Sequence, residues 1–147
     1  MMIQASPLGD ALSSGWVFPT AECFHISAFA LSIGTIALVD LRMMGMGLRR
    51  YTAARLVEVT ELWTLLGLVI VVFSGLVLFA SQPRIYLPNP ALRFKIAALL
   101  LAILYNFTVH RRLAMSDVSP MMSRLAAGVS LLLWLSVVSG GLFIAFV

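Results

Sequence analysis

Two short patterns place ionisable side chains inside otherwise apolar stretches of this chain. Glu22-x-x-His25 opens the first stretch, and Asn106-x-x-x-His110 closes the third. Residues three or four apart share one helix face. Lipid solvates such groups poorly, so within a spanning helix they are candidates for function by default. A histidine there can ligate haem or copper, or accept a proton. The Glu-x-x-His spacing also supplies ligands in di-iron bundles, but the chain has no second such motif. An architectural explanation competes with these. Glu22 is favoured at a helix N-terminus, His25 bonds a neighbouring helix, and His110 with Arg111 and Arg112 suits a helix C-terminus.

Around these motifs the sequence sorts polar residues into two levels. At one level Asp40, Arg42, Glu58, Glu61, Asn106, His110 and Arg111 form an expected ion-pair cluster, with Asp40 and Glu61 neutralising Arg42 or Arg111. At the other, His25 and Glu22 share a depth with Ser74, Lys95 and Ser139, beside Gly75, Gly140 and Gly141. These line an expected pocket that opens outward, with His25 as ligand or proton acceptor and Lys95 pairing with Glu22. His25 and His110 are the candidate metal or cofactor ligands, with Glu22 orienting His25. At 1.5 Å per residue they stand about 20 Å apart along the membrane normal, so they do not share one haem within a protomer. Six of the eight methionines, Met43, Met44, Met46, Met115, Met121 and Met122, cluster in or beside two loops. Thioethers suit copper(I) and haem, and they also fill gaps in ordinary cores. The single cysteine, Cys23, excludes an internal disulfide. No nucleotide-binding loop, catalytic triad or zinc motif is present.

The elements that must position these residues are apolar helices. The chain is 61% hydrophobic and 11% charged, against roughly 25% charged residues in a soluble domain. Four apolar stretches predict spans at about 21–41, 60–80, 93–111 and 124–146, each near the roughly 20 residues a bilayer requires. The expected fold is therefore an all-α membrane protein, a single domain over 1–147 built as a four-helix transmembrane bundle. Leu8, Leu12 and Trp16 recur every fourth residue, which predicts a short interfacial helix at about 7–18, opened by Pro7 and ended by Pro19. Thr20 then caps the first span. The loop from Ser81 to Pro90 holds three prolines and is expected to be rigid and non-helical. Tyr86 and Trp63 suit the membrane surface. The first residues lack a signal-peptide pattern, so the first span is expected to remain in the mature protein.

Seven basic residues lie in the first and third loops and three in the middle one. That bias predicts both termini outside and the Arg-rich loops in the cytoplasm. Topology and lipid headgroup contact account for the net charge of +4 without nucleic acid. A 70-residue shift aligns Phe24, Ile26, Ala28, Leu31, Ile33, Val39 and Arg42 with identical residues at Phe94, Ile96, Ala98, Leu101, Ile103, Val109 and Arg112. Two parallel helical hairpins would produce such a repeat.

Three segments carry a resemblance: His25 followed by Asp40-Leu41-Arg42-Met43-Met44-Gly45, then Asn89-Pro90-Ala91-Leu92-Arg93-Phe94-Lys95, then Asn106 with His110. Together they resemble an uncharacterised family of small bacterial four-helix integral membrane proteins, over nearly the whole chain. That resemblance implies a multi-pass protein of the bacterial inner membrane. More distantly, over about half the chain, His25 in the first span and the Phe94-Lys95 entry into the third are similar to the membrane domain of copper-resistance D-like proteins, which implies haem b or copper handling. The chain departs from the latter in lacking histidine-rich segments. Three function classes emerge: a redox- or metal-linked protein using a membrane histidine, a non-catalytic structural or accessory subunit of a larger membrane complex, and a small transporter or proton conductor. The lipid bilayer is the first expected partner, with a homo-oligomer or larger membrane complex beyond it.

Overall fold

The computed structural model describes residues 9, 11–12, 15–47 and 49–146. Four long helices dominate it: α1 (Val17–Met43), α2 (Ala53–Ser81), α4 (Pro90–Ala114) and α5 (Pro120–Phe143), with a one-turn α3 (Pro83–Tyr86) between the second and third spans. Each long helix has the length and apolarity to cross a bilayer, where only helices and closed barrels satisfy the backbone. Large apolar side chains such as Leu62, Phe73, Leu76, Leu100, Leu132 and Leu142 face outward, as lipid solvation requires. The chain is a multi-pass membrane protein with an all-α four-helix bundle.

Local sequence sets the helix ends. Thr52 accepts a hydrogen bond from the Arg55 N–H at 3.1 Å, and Asn89 accepts one from Leu92 at 3.1 Å. Ser119 does the same for Met122 at 3.4 Å. These side chains satisfy orphan donors of the first turns. Pro90 and Pro120 occupy the next position, where a missing N–H costs nothing. At the far end of α1, Gly45 takes a φ of 83°. Met46 N–H bonds Leu41 O at 2.8 Å and Gly45 N–H bonds Arg42 O at 3.0 Å, the paired bonds of a Schellman stop.

Two expectations about the chain path need correction. Pro19 does not end a helix; it lies in the first turn of α1, which begins at Val17 after Trp16 with no side-chain cap. Thr20 is accordingly inside the helix, its N–H bonded to Trp16 O at 3.1 Å. The middle loop is also partly helical, because Pro83 can start the α3 turn as readily as it can break one. Of the expected tail helix, Gly9, Ala11 and Leu12 are helical, and the rest up to Ser14 lies outside the described residues.

Packing follows the hairpins. α1 lies along α2, α4 along α5, and α1 also contacts α5; α2 approaches α4 chiefly at Arg111–Ala114. One apolar cluster, including Val39, Met43, Leu56, Ala126 and Ala127, fills the end near the first and third loops. A second, around Ile36, Leu68, Ala102, Trp134 and Val137, fills the middle. α4 is not a uniform α-helix: Asn106–His110 winds as a π-segment. Such segments shift the helical phase of the turns beyond them and occur often at functional positions.

Candidate functional site

Among the described residues, the most deeply buried ionisable group is the Asp40 carboxylate, fully shielded in α1. His110 Nε2 lies 2.5 Å from Asp40 Oδ1, and Ser130 Oγ donates to Oδ2 at 2.8 Å. The π-segment delivers His110 to this position, and Ser130 comes from α5, so three helices converge on one carboxylate. Pairing with the imidazole and a second donor in the Ser130 hydroxyl is how an ionisable carboxyl persists at such burial. Tyr105 flanks the ring with a centroid separation of 6.4 Å, and its hydroxyl donates to Ala126 O at 3.0 Å.

A cavity of about 30 Å³ adjoins this pair, its polar wall formed by Thr60, Glu61, Thr64, Asn106, His110 and Arg111. That volume and lining suit about one water molecule. At its rim Arg111 grips Glu61 in a two-pronged pair, Nε to Oε1 at 2.8 Å and Nη2 to Oε2 at 3.1 Å.

A second layer lies at the other end of the bundle. Ser74 Oγ donates to Ile70 O at 2.6 Å, so toward His25 it acts as acceptor, and His25 Nδ1–H donates to it at 2.9 Å. The remaining ring nitrogen, Nε2, faces Lys95 Nζ at 3.4 Å. The tautomer is inferred from this network: a neutral imidazole accepting from a lysine ammonium. Phe29 stacks on His25 at 6.4 Å and sits 5.6 Å below the Lys95 nitrogen, an arrangement that eases the cation's burial. Glycines make the fit possible. A Cβ at Gly75 would meet His25 Cε1 at 3.2 Å, and one at Gly140 would meet Lys95 Cβ at 3.0 Å.

Several expected partnerships are different in the structure. Asp40 pairs with His110 rather than an arginine, while Arg42 Nε donates to Tyr51 O at 2.5 Å. Glu58 pairs with Arg55 at 3.0 Å on the exposed surface, away from the buried cluster. Glu61 does take Arg111. Lys95 meets His25 instead of Glu22, and Glu22 forms no ion pair among the described residues. Ser139 turns its hydroxyl back to Leu135 O at 2.9 Å, and Gly140 and Gly141 take its place beside Lys95. Outside the spans, burial pushes the Tyr86 phenol above its ordinary range, and the Glu22 carboxylate adds to the shift. That places Glu22 near the middle loop.

Ser130, Tyr105, Thr60 and Thr64 carry no mark in the sequence that singles them out, and neither do Ser32 and Thr35. Between the two layers, Thr35 Oγ1 and Thr64 Oγ1 lie 2.8 Å apart, and Ser32 Oγ donates to Ala28 O at 3.0 Å. Hydroxyls inside apolar helices give little signal, since they can bond their own preceding turn. The geometry does not assemble a ligand set for haem or copper. The histidines belong to separate layers, each bonded to another side chain, and His25 points Nε2 at a cation. No group of three His, Cys, Asp or Glu among the described residues is arranged to hold a metal. Met43 is packed in the apolar core, and Met46, Met121 and Met122 are exposed.

Residues 9–147 match the model of a family described as a family of unknown function, DUF6644, and the chain belongs to that family. No curated protein and no solved structure matches it.

Proposed function

We propose that this protein moves protons, as a small proton-conducting or proton-linked transporter, with Asp40 and His110 as the pair that carries the exchangeable proton. The observation behind this reading is the fully buried Asp40 carboxylate, held by His110 and Ser130 beside a water-sized polar cavity. An imidazole can take up a proton at one nitrogen and release one from the other, and a carboxylate beside it stabilises the protonated ring, so the pair can pass a proton to or from a water in the adjoining cavity. Glu61 and Arg111 flank the cavity on the loop side. Toward the other face, Thr64, Thr35 and Ser32 continue along the seam between α1 and α2 and end about two helical turns short of His25. The two ionisable layers are separated by about fifteen residues of helix, or about 22 Å, most of a bilayer's hydrocarbon thickness.

In this reading the Arg-rich first and third loops face the cytoplasm of a bacterial inner membrane, supported by the seven-to-three distribution of basic residues. Asp40 and His110 then form the inner station, and His25 with Lys95 the outer one. The redox alternative, haem b or copper on His25 or His110, has less support, because each imidazole is already committed to a neighbouring side chain. An accessory-subunit role needs only the lipid-facing helices and makes no use of the polar cavity beside His110.

The test is purified protein in liposomes carrying a trapped pH dye, with a potassium diffusion potential imposed by valinomycin. Wild-type protein should acidify or alkalinise the lumen several-fold faster than empty vesicles. Asp40→Asn and His110→Gln, checked for folding by their melting temperatures, should return the rate to the empty-vesicle value. Wild-type flux no faster than empty vesicles, or equal flux in both variants, refutes proton movement. A Soret band or stoichiometric copper in the same preparation would move the assignment to the redox class.

A further inference from the structure

Where the first and third loops meet the bundle, a cavity of about 520 Å³ opens between the ends of α1 and α4 and the starts of α2 and α5. It shares no lining residue with the small cavity beside His110. Arg42 and Arg124 line it, against one carboxylate, Asp117. Arg42 Nε is committed to Tyr51 O, which fixes the guanidinium plane while its terminal nitrogens stay available. Neither arginine forms an ion pair with a described residue. Two arginines against one carboxylate give the lining a net positive charge. An anion between them removes the imbalance.

The cavity wall is chemically divided. Thr52 and Ser116 supply hydroxyls on the polar side, while Met43, Leu113 and Ala114 supply apolar surface. Ser123 ties α5 to α1 by donating to Met43 O at 3.1 Å, so the floor is built from joined helices. The first turns of α2 and α5 also open here, adding their positive ends to the two arginines. A guanidinium fork matches the paired oxygens of a phosphoryl group, and the apolar side suits what a phosphate ester carries.

We propose that this cavity binds a phosphoryl anion, held by Arg42 and Arg124, with the glycerophosphate headgroup of an anionic phospholipid and a free phosphate as the two sources of that chemistry. The site lies at the loop end of spanning helices, where headgroups are at hand. The volume exceeds that of inorganic phosphate and leaves room for an ester's organic part. The site is independent of the proton reading, since Arg42 bonds Tyr51 and Asp40 bonds His110, with neither arginine in that pair.

The probes are phosphatidylglycerol, phosphatidylcholine and inorganic phosphate, each added to delipidated full-length protein in detergent. Binding is read by native mass spectrometry and by the melting temperature. Phosphatidylglycerol should bind in preference to phosphatidylcholine and raise the melting temperature. Arg124→Gln and Arg42→Gln should each weaken that binding about tenfold, while Arg49→Gln, outside the cavity, leaves it as in wild type. Stabilisation by inorganic phosphate, lost in the same two variants, assigns a soluble source to the same site. Arg124→Lys keeps charge without the fork and should weaken binding less than Arg124→Gln. Equal binding of both lipids without any phosphate effect overturns the proposal, as does undiminished binding in the two glutamine variants.

Discussion

Asp40 concentrates the energetic stakes of this fold in one side chain. A buried carboxylate with two donors is tolerable, but its partners are then built around it. Removing the carboxylate strands the His110 ring and the Ser130 hydroxyl in the bundle interior. Breaking a buried pair from one side costs up to about 3–5 kcal/mol. Asp40→Ala should therefore lower the melting temperature in detergent clearly. Asp117→Ala in the exposed third loop should stay within about 0.5 kcal/mol of wild type. Indistinguishable melting curves for the two variants would mean that the Asp40 network adds nothing to stability. The sequence marks Asp40 and His110 as residents of one level, since burial of ionisable groups in apolar runs is legible from type and position. It does not pair them. Charge matching assigns Asp40 to an arginine, and only the π-segment, invisible in the sequence, turns His110 inward to claim it.

At the level of elements, apolar length alone makes the four helices legible, because no alternative to helix satisfies the backbone in lipid over runs this long. Their ends are less so. Proline reads as a breaker in sequence, yet Pro19, Pro83, Pro90 and Pro120 all lie in first turns here. Whether proline stops or starts a helix depends on which side of it the chain continues. Close packing of α1 on α2 rests on a glycine that no sequence motif points to. A Cβ at Gly67 would overlap Ser32 Oγ and approach Ala28 O at 2.9 Å, whereas Gly34, also mid-helix, has open space around it. Forcing a methyl into the first position pushes the two helices apart, an overpacking cost of about 1–3 kcal/mol. Gly67→Ala should lower the melting temperature and Gly34→Ala should not. The reverse order would place the α1–α2 contact elsewhere.

Across the whole molecule the 70-residue repeat becomes more than a string of identities. Its aligned positions share environments: Ala28 and Ala98 are both 6% exposed, while Phe24 and Phe94 are 61% and 54% exposed. The buried positions of α4 at Ala98, Ala102, Asn106 and His110 fall 70 residues after those of α1 at Ala28, Ser32, Ile36 and Asp40. The two polar layers obey the same offset, for His25 meets Lys95 and Asp40 meets His110. A search for identical residues skips these positions because the repeats differ there, and they differ in complementary ways. Two hairpins that pair through equivalent positions face a choice between each other and a copy of themselves. Self-pairing of the first hairpin would set Asp40 against Asp40, and self-pairing of the second would set Lys95 against Lys95. Both cost like-charge repulsion in a medium that screens it poorly. Complementary residues on the shared interface thus select the mixed pair. If the chain is divided between Leu87 and Pro88 and both halves are produced together, one carrying an affinity tag, the untagged hairpin should copurify in a one-to-one complex. Each hairpin produced alone should self-associate less. Replacing both Asp40 and His110 by Asn removes the discrimination at one layer and should let self-paired hairpins appear. Self-association as strong as mixed pairing in the unaltered halves would show that the two layers play no part in how the hairpins choose each other.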